Sequence, residues 1–177
     1  MKYTLEIQKR LLQVENGNLS PHEKALLLKE AIRIADENDD PQWAVEMRLD
    51  LIYELNLLSQ AEEEIAVFSR ILDDYENNKD LISENDILWK YKWICGAAFD
   101  VPEVSQSQID AILEDFKIRT LRNGYSARAY YHLLFLHYNR MRQYDLAKEY
   151  ADKIKENVEN LKNKLERLDK ERTKYFT

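Results

Sequence analysis

The chain has 177 residues, of which 45% are hydrophobic and 33% charged, and its net charge is −7. This composition excludes a disordered chain, and the presence of only three glycines and three prolines favours long helices over a β-sandwich. The single cysteine excludes an internal disulfide and suits a reducing compartment. No apolar run reaches membrane-spanning length and the first residues lack the apolar stretch of a signal peptide, so we expect a cytoplasmic protein.

Charge is unevenly distributed along the chain. Residues 36–76 contain thirteen acidic and two basic residues, a net charge of −11, whereas residues 117–177 contain fifteen basic and eight acidic residues, a net charge of +7. Solvated helix faces are one explanation. The other is a bipolar molecule that steers an acidic partner to one end or stacks head to tail.

The first two predicted helices are separated by a glycine turn and a capping sequence. Helix 1 is predicted from about Tyr3 to Glu15, and Asn16-Gly17-Asn18 ends it. Its expected apolar stripe consists of Leu5 and Leu12, joined by Ile7 and Leu11. Ser20-Pro21-x-Glu23 predicts a capped start for helix 2. The residues that helix 2 should turn inward are Ala25, Leu28, Ile32 and Ala35.

An acidic loop, Asp36 to Pro41, precedes helix 3. A calcium loop would need glycine and glutamate where Pro41 and Met47 stand, so Asp40-Pro41 is interpreted as a helix cap. Helix 3 should run from about Pro41 to Leu58, and helix 4 follows Ser59. The expected inward residues of these helices are Trp43, Met47, Leu51, Ile52 and Leu55, then Ile65, Phe68, Ile71, Leu72 and Tyr75.

Helix 5 is apolar nearly all round, which is typical of a helix buried on several sides. Ser83-x-x-Asp86 predicts its cap. One broad face carries Ile87, Leu88, Tyr91, Ile94, Cys95 and Ala98, and Trp89 and Trp93 lie four apart on another face. Helix 6 follows, with Ile109, Ile112, Leu113 and Phe116 predicted to point inward.

The stretch from Ala127 to Val158 predicts a helical hairpin. Tyr131, Leu134, Phe135 and Tyr138 fall at i, i+3, i+4 and i+7, which predicts a buried face that includes Phe135 and Tyr138. Helix 8 then carries Ala147, Ala151, Ile154 and Val158 on one face. Small alanines at the crossing favour two closely packed antiparallel helices.

The order of residue types in this hairpin resembles the tetratricopeptide repeat (TPR) motif: an aromatic residue, Leu, an aromatic residue and Tyr, then Tyr144-Asp-x-Ala147. Ser59 to Ile65 is similar to the turn of that motif, although Ala61 replaces its Tyr and Glu64 replaces its small Ala. The resemblance implies an all-α, right-handed α-solenoid of about eight helices in four irregular TPR-like repeats. We predict a repeat domain over residues 1–158 and a C-terminal helical extension over residues 159–177.

The resemblance also implies that the chain is a peptide- or protein-binding scaffold module. The first helix of each hairpin would line the binding groove. The expected partner-binding residues are Tyr53, Asn56, Trp89, Trp93, His132, Leu136, Asn139 and Arg140, with Glu46, Leu49 and Lys92 beside them. Asn side chains pair with peptide amides, and Arg pairs with carboxylates. Burial in the core is the alternative for the two tryptophans.

The end of the chain continues an apolar seam beyond the hairpin. Ala147, Ala151, Ile154, Val158, Leu161, Leu165 and Leu168 are spaced as heptad positions a and d. Leu161, Leu165 and Leu168 therefore need another surface. Three outcomes are open: a homodimer, a cap on the preceding hairpin, or docking on a segment outside the sequence.

No catalytic, cofactor or metal motif is present, so we expect a protein that is not an enzyme. His132 and His137 are five residues apart and face different ways, and Cys95 has the surroundings of a core residue. An alternative function is a peptide- or effector-sensing domain of a larger bacterial-type regulator. Nucleic-acid binding through arginines and tyrosines of helices 6 and 7 is less favoured, because the chain is acidic overall.

Overall fold

The computed structural model describes the backbone of residues 2–174 and the side chains of residues 2–168. Within this part the chain is all-helical, with no strand, which confirms the predicted fold class at this level. The eight helices are α1 (Lys2–Asn16), α2 (Pro21–Glu37), α3 (Pro41–Leu57), α4 (Ala61–Asn77), α5 (Glu84–Ala98), α6 (Gln106–Arg122), α7 (Arg128–Arg140) and α8 (Tyr144–Lys174). Across these ranges, no helix combines the length and apolar character needed to cross a bilayer.

The chain divides into two compact units, Met1–Ile109 and Asp110–Thr177. In the first unit each helix packs on the next, from α1 to α5, and α3 also contacts α5. In the second unit α7 packs along α8. The predicted boundary at residue 158 lies inside the continuous helix α8, and the division at that residue stays a prediction.

Local capping sets the helix starts that the sequence predicted. The Ser20 hydroxyl accepts a hydrogen bond from the Glu23 amide, and the Ser20 amide donates to the Glu23 carboxylate at 2.8 Å. Asp40 accepts from the amide of Trp43 at 3.3 Å, ahead of Pro41 in the first turn of α3. Each cap satisfies backbone donors that a helix start leaves without an intrahelical partner.

The α1 stripe predicted from Leu5 and Leu12 is wrong. Both side chains are more than half exposed, and the fully buried residue is Ile7. Tyr3, Leu11 and Val14 pack around the same core with Ile7. These four residues repeat at helical spacing along one face, whereas Leu5 and Leu12 are two isolated residues on another, so the richer stripe faces α2.

The buried face of α7 is also rotated about the helix axis relative to the predicted face. Leu133, Leu134 and His137 are buried, whereas Tyr131, Phe135 and Tyr138 are only half-buried. The tyrosines lie along the seam with α8, where Tyr138 stacks on Tyr150 with ring centroids 5.5 Å apart. Stacked rings at the edge of a hairpin keep part of their surface in water, which explains the incomplete burial.

A buried arginine, which the sequence analysis missed, joins three helices of the first unit. Arg48 on α3 is 6% exposed. Its guanidinium donates to both carboxylate oxygens of Asp36 on α2, at 2.7 and 2.8 Å, and to Asp74 on α4 at 3.0 Å. A buried cation is tolerated where charged acceptors satisfy its donors, as these two carboxylates do.

Candidate functional site

An exposed stripe of mixed chemistry runs along α3. It consists of Glu46, Asp50, Tyr53 and Leu57, all of them exposed. These residues follow helical spacing and share one face, while Met47, Leu51 and Leu55 on the opposite side are buried in the core. The outer face of α3 is therefore partly apolar.

A second stripe on α5 lies beside the first. It consists of Asp86, Trp89, Lys90, Trp93 and Gly96. Trp89 is 60% exposed, and Lys90, Trp93 and Gly96 are half-buried. We call these two stripes together the α3/α5 surface.

Aromatic rings join the two helices within the α3/α5 surface. The rings of Tyr53 and Trp93 are tilted against each other with centroids 6.0 Å apart. The Lys90 ammonium lies 4.8 Å from the centroid of Trp93, and the Lys92 ammonium lies 4.3 Å from that of Trp89. Both distances are within the range of a cation–π contact.

Carboxylates surround the cation over Trp93. Desolvation by the surrounding groups raises the pKa of Asp50, although the residue is exposed. Lys90 opposes this shift, and Glu46 and Glu15 add to it as like charges. The same desolvation lowers the pKa of Lys90, against the attraction of Asp50, Glu64 and Asp86. Several charges therefore share a poorly hydrated part of the surface.

Glu64 is a buried carboxyl group beneath this surface. Its side chain is 1% exposed, and its Oε2 accepts a weak hydrogen bond from the Asn56 amide at 3.4 Å. Among residues 2–168, nothing donates a hydrogen bond to its Oε1. Burial raises the pKa of Glu64, while Asn56 and Lys90 oppose that rise.

The structure brings together three of the predicted partner-binding residues, Tyr53, Trp89 and Trp93, and places Asn56 against Glu64. The core alternative is wrong for Trp89, which is largely exposed, and holds only in part for Trp93. The other four predicted residues, His132, Leu136, Asn139 and Arg140, are exposed on one face of α7 and belong to the second unit. Contact of either set with a partner stays a prediction.

The sequence analysis did not identify the charged residues Asp50 and Lys90 of the α3/α5 surface. It also did not predict that Glu64 is buried beneath that surface. The period of the outer α3 face, which already contained Glu46 and Tyr53, could have identified Asp50. The departure of Glu64 from the small residue of the TPR motif was noted, but its burial could not be inferred from the sequence pattern.

Titratable groups elsewhere show little that suggests chemistry. Within the side chains described, no three His, Cys, Asp or Glu residues are placed to hold a metal ion. Cys95 is fully buried. His137 is buried, and that burial lowers its pKa, with Asp110 and Arg140 acting in opposite directions.

No family model, curated protein or solved structure matches the chain. The relation of this fold to the tetratricopeptide repeat therefore rests on the resemblance of residue types in the sequence.

Proposed function

We propose that the chain is a peptide- or protein-binding module built as a right-handed, TPR-like helical repeat. The observation that carries the proposal is the α3/α5 surface, where Trp89 and Tyr53 are 60% and 47% exposed beside Trp93 on adjacent first helices of successive hairpins. Exposed aromatic side chains on a rigid helical face are typical of binding surfaces, since Trp and Tyr contribute most of the energy at protein interfaces.

Binding without catalysis is part of the same proposal. The α3/α5 surface has carboxylates and a lysine but no nucleophile with an adjacent base, which is the arrangement that acyl or phosphoryl transfer would need. We propose that the protein acts without a cofactor. We also propose that it acts in the cytoplasm, because a reducing compartment keeps a free thiol such as that of Cys95 reduced.

Selection from a random-peptide display library on the full chain tests this function. Wild type should enrich a defined set of peptides, and the double variant Tyr53→Ala/Trp89→Ala should bind them at least about tenfold more weakly, because each aromatic anchor contributes about 1–2 kcal/mol. The matched control is Leu5→Ala/Leu12→Ala, which removes equally exposed apolar side chains from α1. Equal binding by all three proteins, or no enrichment, would refute the function.

We also propose that α8 forms a homodimer through its far half. Ala147 is buried against its own hairpin, and Val158, Leu161, Leu165 and Leu168 are all more than 40% exposed. They keep the 3-4-3 spacing of a coiled-coil seam, with Val at one a position and Leu at both d positions, which suits two strands. Their exposure speaks against a cap on the preceding hairpin.

Leu165→Asp tests the dimer. A charge in the seam should reduce the mass measured by light scattering at micromolar concentration from a dimer to the 21.2 kDa monomer. Helix content should hardly change, since Leu165 is 63% exposed. A monomeric wild type would contradict the proposal, as would a dimer that the substitution leaves intact.

A further inference from the structure

The α3/α5 surface has an acidic end and an apolar end. Asp50 interacts with Lys90 and Tyr53 with Trp93, and both pairs are forty positions apart, so α3 and α5 run side by side in the same direction. Glu46 and Asp86 lie toward the starts of these helices, and Asp50 lies at the middle of α3. Leu57, Trp93 and Gly96 lie toward their ends.

Negative charge dominates the surface. Asp50, Glu64 and Asp86 attract Lys90, and Glu15 and Glu46 repel Asp50. The pair formed by Asp50 and Lys90 is therefore surrounded by an excess of carboxyl groups. The basic residues there are Lys90 and Lys92, which lie over the tryptophans. The field therefore attracts a cation and repels an anion.

Lys90 shows which group the surface accommodates. Its ammonium lies over the Trp93 ring and is attracted by the carboxylates of Asp50, Glu64 and Asp86. An aromatic face flanked by carboxylates is the environment that binds a lysine or arginine side chain. Lys90 belongs to the chain itself and would compete with a cation from a partner.

Glu64 provides a second, independent indication of a ligand. It is almost completely buried, yet its Oε1 accepts no hydrogen bond from residues 2–168. Its other oxygen lies beneath Asn56, an exposed residue on the same side of α3. A buried acceptor without a donor destabilises the free chain, and the Asn56 side chain that bonds to this carboxyl group is exposed where a partner would bind.

Gly96 leaves open space beside Trp93. A Cβ added at this position would meet nothing within 4 Å, so neither packing nor backbone conformation requires glycine there. Glycine inside a helix costs about 1 kcal/mol relative to alanine. Room for the backbone of a bound segment is a reason for glycine at this position.

We infer that the α3/α5 surface binds an extended segment of a partner protein that carries a lysine or arginine at one end and an apolar side chain at the other. The inference rests on the proposed function and specifies its partner. Glu46 and Leu57 are separated by about 16 Å along α3 at 1.5 Å per residue. An extended chain covers this distance in about five residues.

The sequences enriched by the peptide library give the first test. Enriched peptides should contain a basic residue about five positions from an apolar one, and their binding should weaken with added salt, because exposed charges are screened. Enrichment of acidic peptides, or binding unaffected by salt, would overturn the inference while leaving the proposed function standing. A failure of enrichment, or equal binding of the enriched peptides by wild type and Tyr53→Ala/Trp89→Ala, would remove both.

The second test uses two substitutions that should change the affinity for one enriched peptide in opposite directions. Calorimetry measures that affinity. Asp50→Asn should weaken binding about threefold or more, and Lys90→Met should strengthen it by a similar factor by removing the competing cation. The control is Asp73→Asn, an exposed aspartate of α4 outside the α3/α5 surface. If Lys90→Met weakens binding instead, the partner contributes an anion and the inference is wrong.

Gly96→Ala should change the melting temperature and the affinity for the peptide in opposite directions. The melting temperature should rise, because alanine is the better helix former and meets no steric obstacle. The affinity for the enriched peptide should fall at least about fivefold if the peptide backbone occupies the space beside Trp93. Unchanged affinity would show that the bound segment does not reach the apolar end as inferred.

Discussion

At the scale of single residues, Glu64 is the clearest case of a side chain whose surroundings destabilise the folded chain. Its carboxyl group is buried with one oxygen lacking a donor among the side chains described. Replacing a buried charge by an apolar side chain of similar volume often leaves a protein equally or more stable. We interpret Glu64 as a residue retained for binding at a cost to the stability of the free chain.

Glu64→Met should raise the free energy of unfolding at pH 7 by about 1–3 kcal/mol, because it removes an unsatisfied buried group. The gain should depend on pH. Since burial raises the pKa of Glu64 above its value in the unfolded chain, the folded wild type binds the proton more tightly and loses stability as pH rises through the raised pKa. Denaturant unfolding at several pH values should therefore show the difference between variant and wild type shrinking toward acid. A difference independent of pH would show that Glu64 titrates normally.

Arg48 should behave in the opposite way. Arg48→Ala should destabilise the chain by about 3 kcal/mol, because α2, α3 and α4 lose a common link and the poorly solvated Asp74 keeps only its longer pair with Arg70, at 3.4 Å. Chemical denaturation provides the measurement. Arg33→Ala is the control, since the exposed Arg33 pairs with Glu30 and Glu37 of its own helix and its loss should change little. A similar loss of unfolding free energy in the two variants would show that the buried ion pairs of Arg48 stabilise the chain no more than the surface pairs of Arg33 do.

At the scale of helices, the half-buried aromatic seam of the second unit changes the expected cost of core substitutions. Phe135 is half-buried, so Phe135→Ala should cost about 1–3 kcal/mol, below the roughly 3–5 kcal/mol of a fully buried phenylalanine. Leu134→Ala at a buried position should cost about 2–5 kcal/mol. Thermal unfolding monitored by circular dichroism gives the order of the two. A larger loss for Phe135→Ala would restore the face predicted from the sequence.

Helix existence and helix ends were predictable because they depend on local chemistry. Ser20 and Asp40 cap helices through their own side chains, and the apolar period of α2 indicated one buried face. The prediction that α5 is buried on several sides is wrong in part, because Trp89 is 60% exposed. Which face of α7 is inward was not local. Phe135 is as apolar as its buried neighbour Leu134, and the position of the adjacent helix decides which of them leaves water. In α1 the period of Tyr3, Ile7, Leu11 and Val14 carried the information, but Leu5 and Leu12 were weighted above it.

The candidate site shows the same division. The exposed aromatics Tyr53 and Trp89 follow from the period of their helices. The meeting of Tyr53 with Trp93 requires two helices separated by a third, and the burial of Arg48 and Glu64 depends on how α2, α4 and α5 pack around α3. Sequence periodicity gives no information about such pairs.

At the scale of the whole molecule, the proposed binding surface lies on the first unit and the proposed dimer seam lies on α8 of the second. If α8 forms the proposed dimer, the melting temperature should rise with protein concentration, because association stabilises the folded chain. Leu165→Asp should abolish that dependence. A melting temperature independent of concentration in wild type would leave α8 without the proposed partner.

Amide hydrogen exchange of the full chain, with and without an enriched peptide, tests the central claim most directly. With the peptide bound, we expect slower exchange in residues 46–57 of α3 and 86–96 of α5, and no change in α1. Protection confined to α1, or to the exposed face of α7 around His132 and Arg140, would contradict the assignment of binding to the α3/α5 surface.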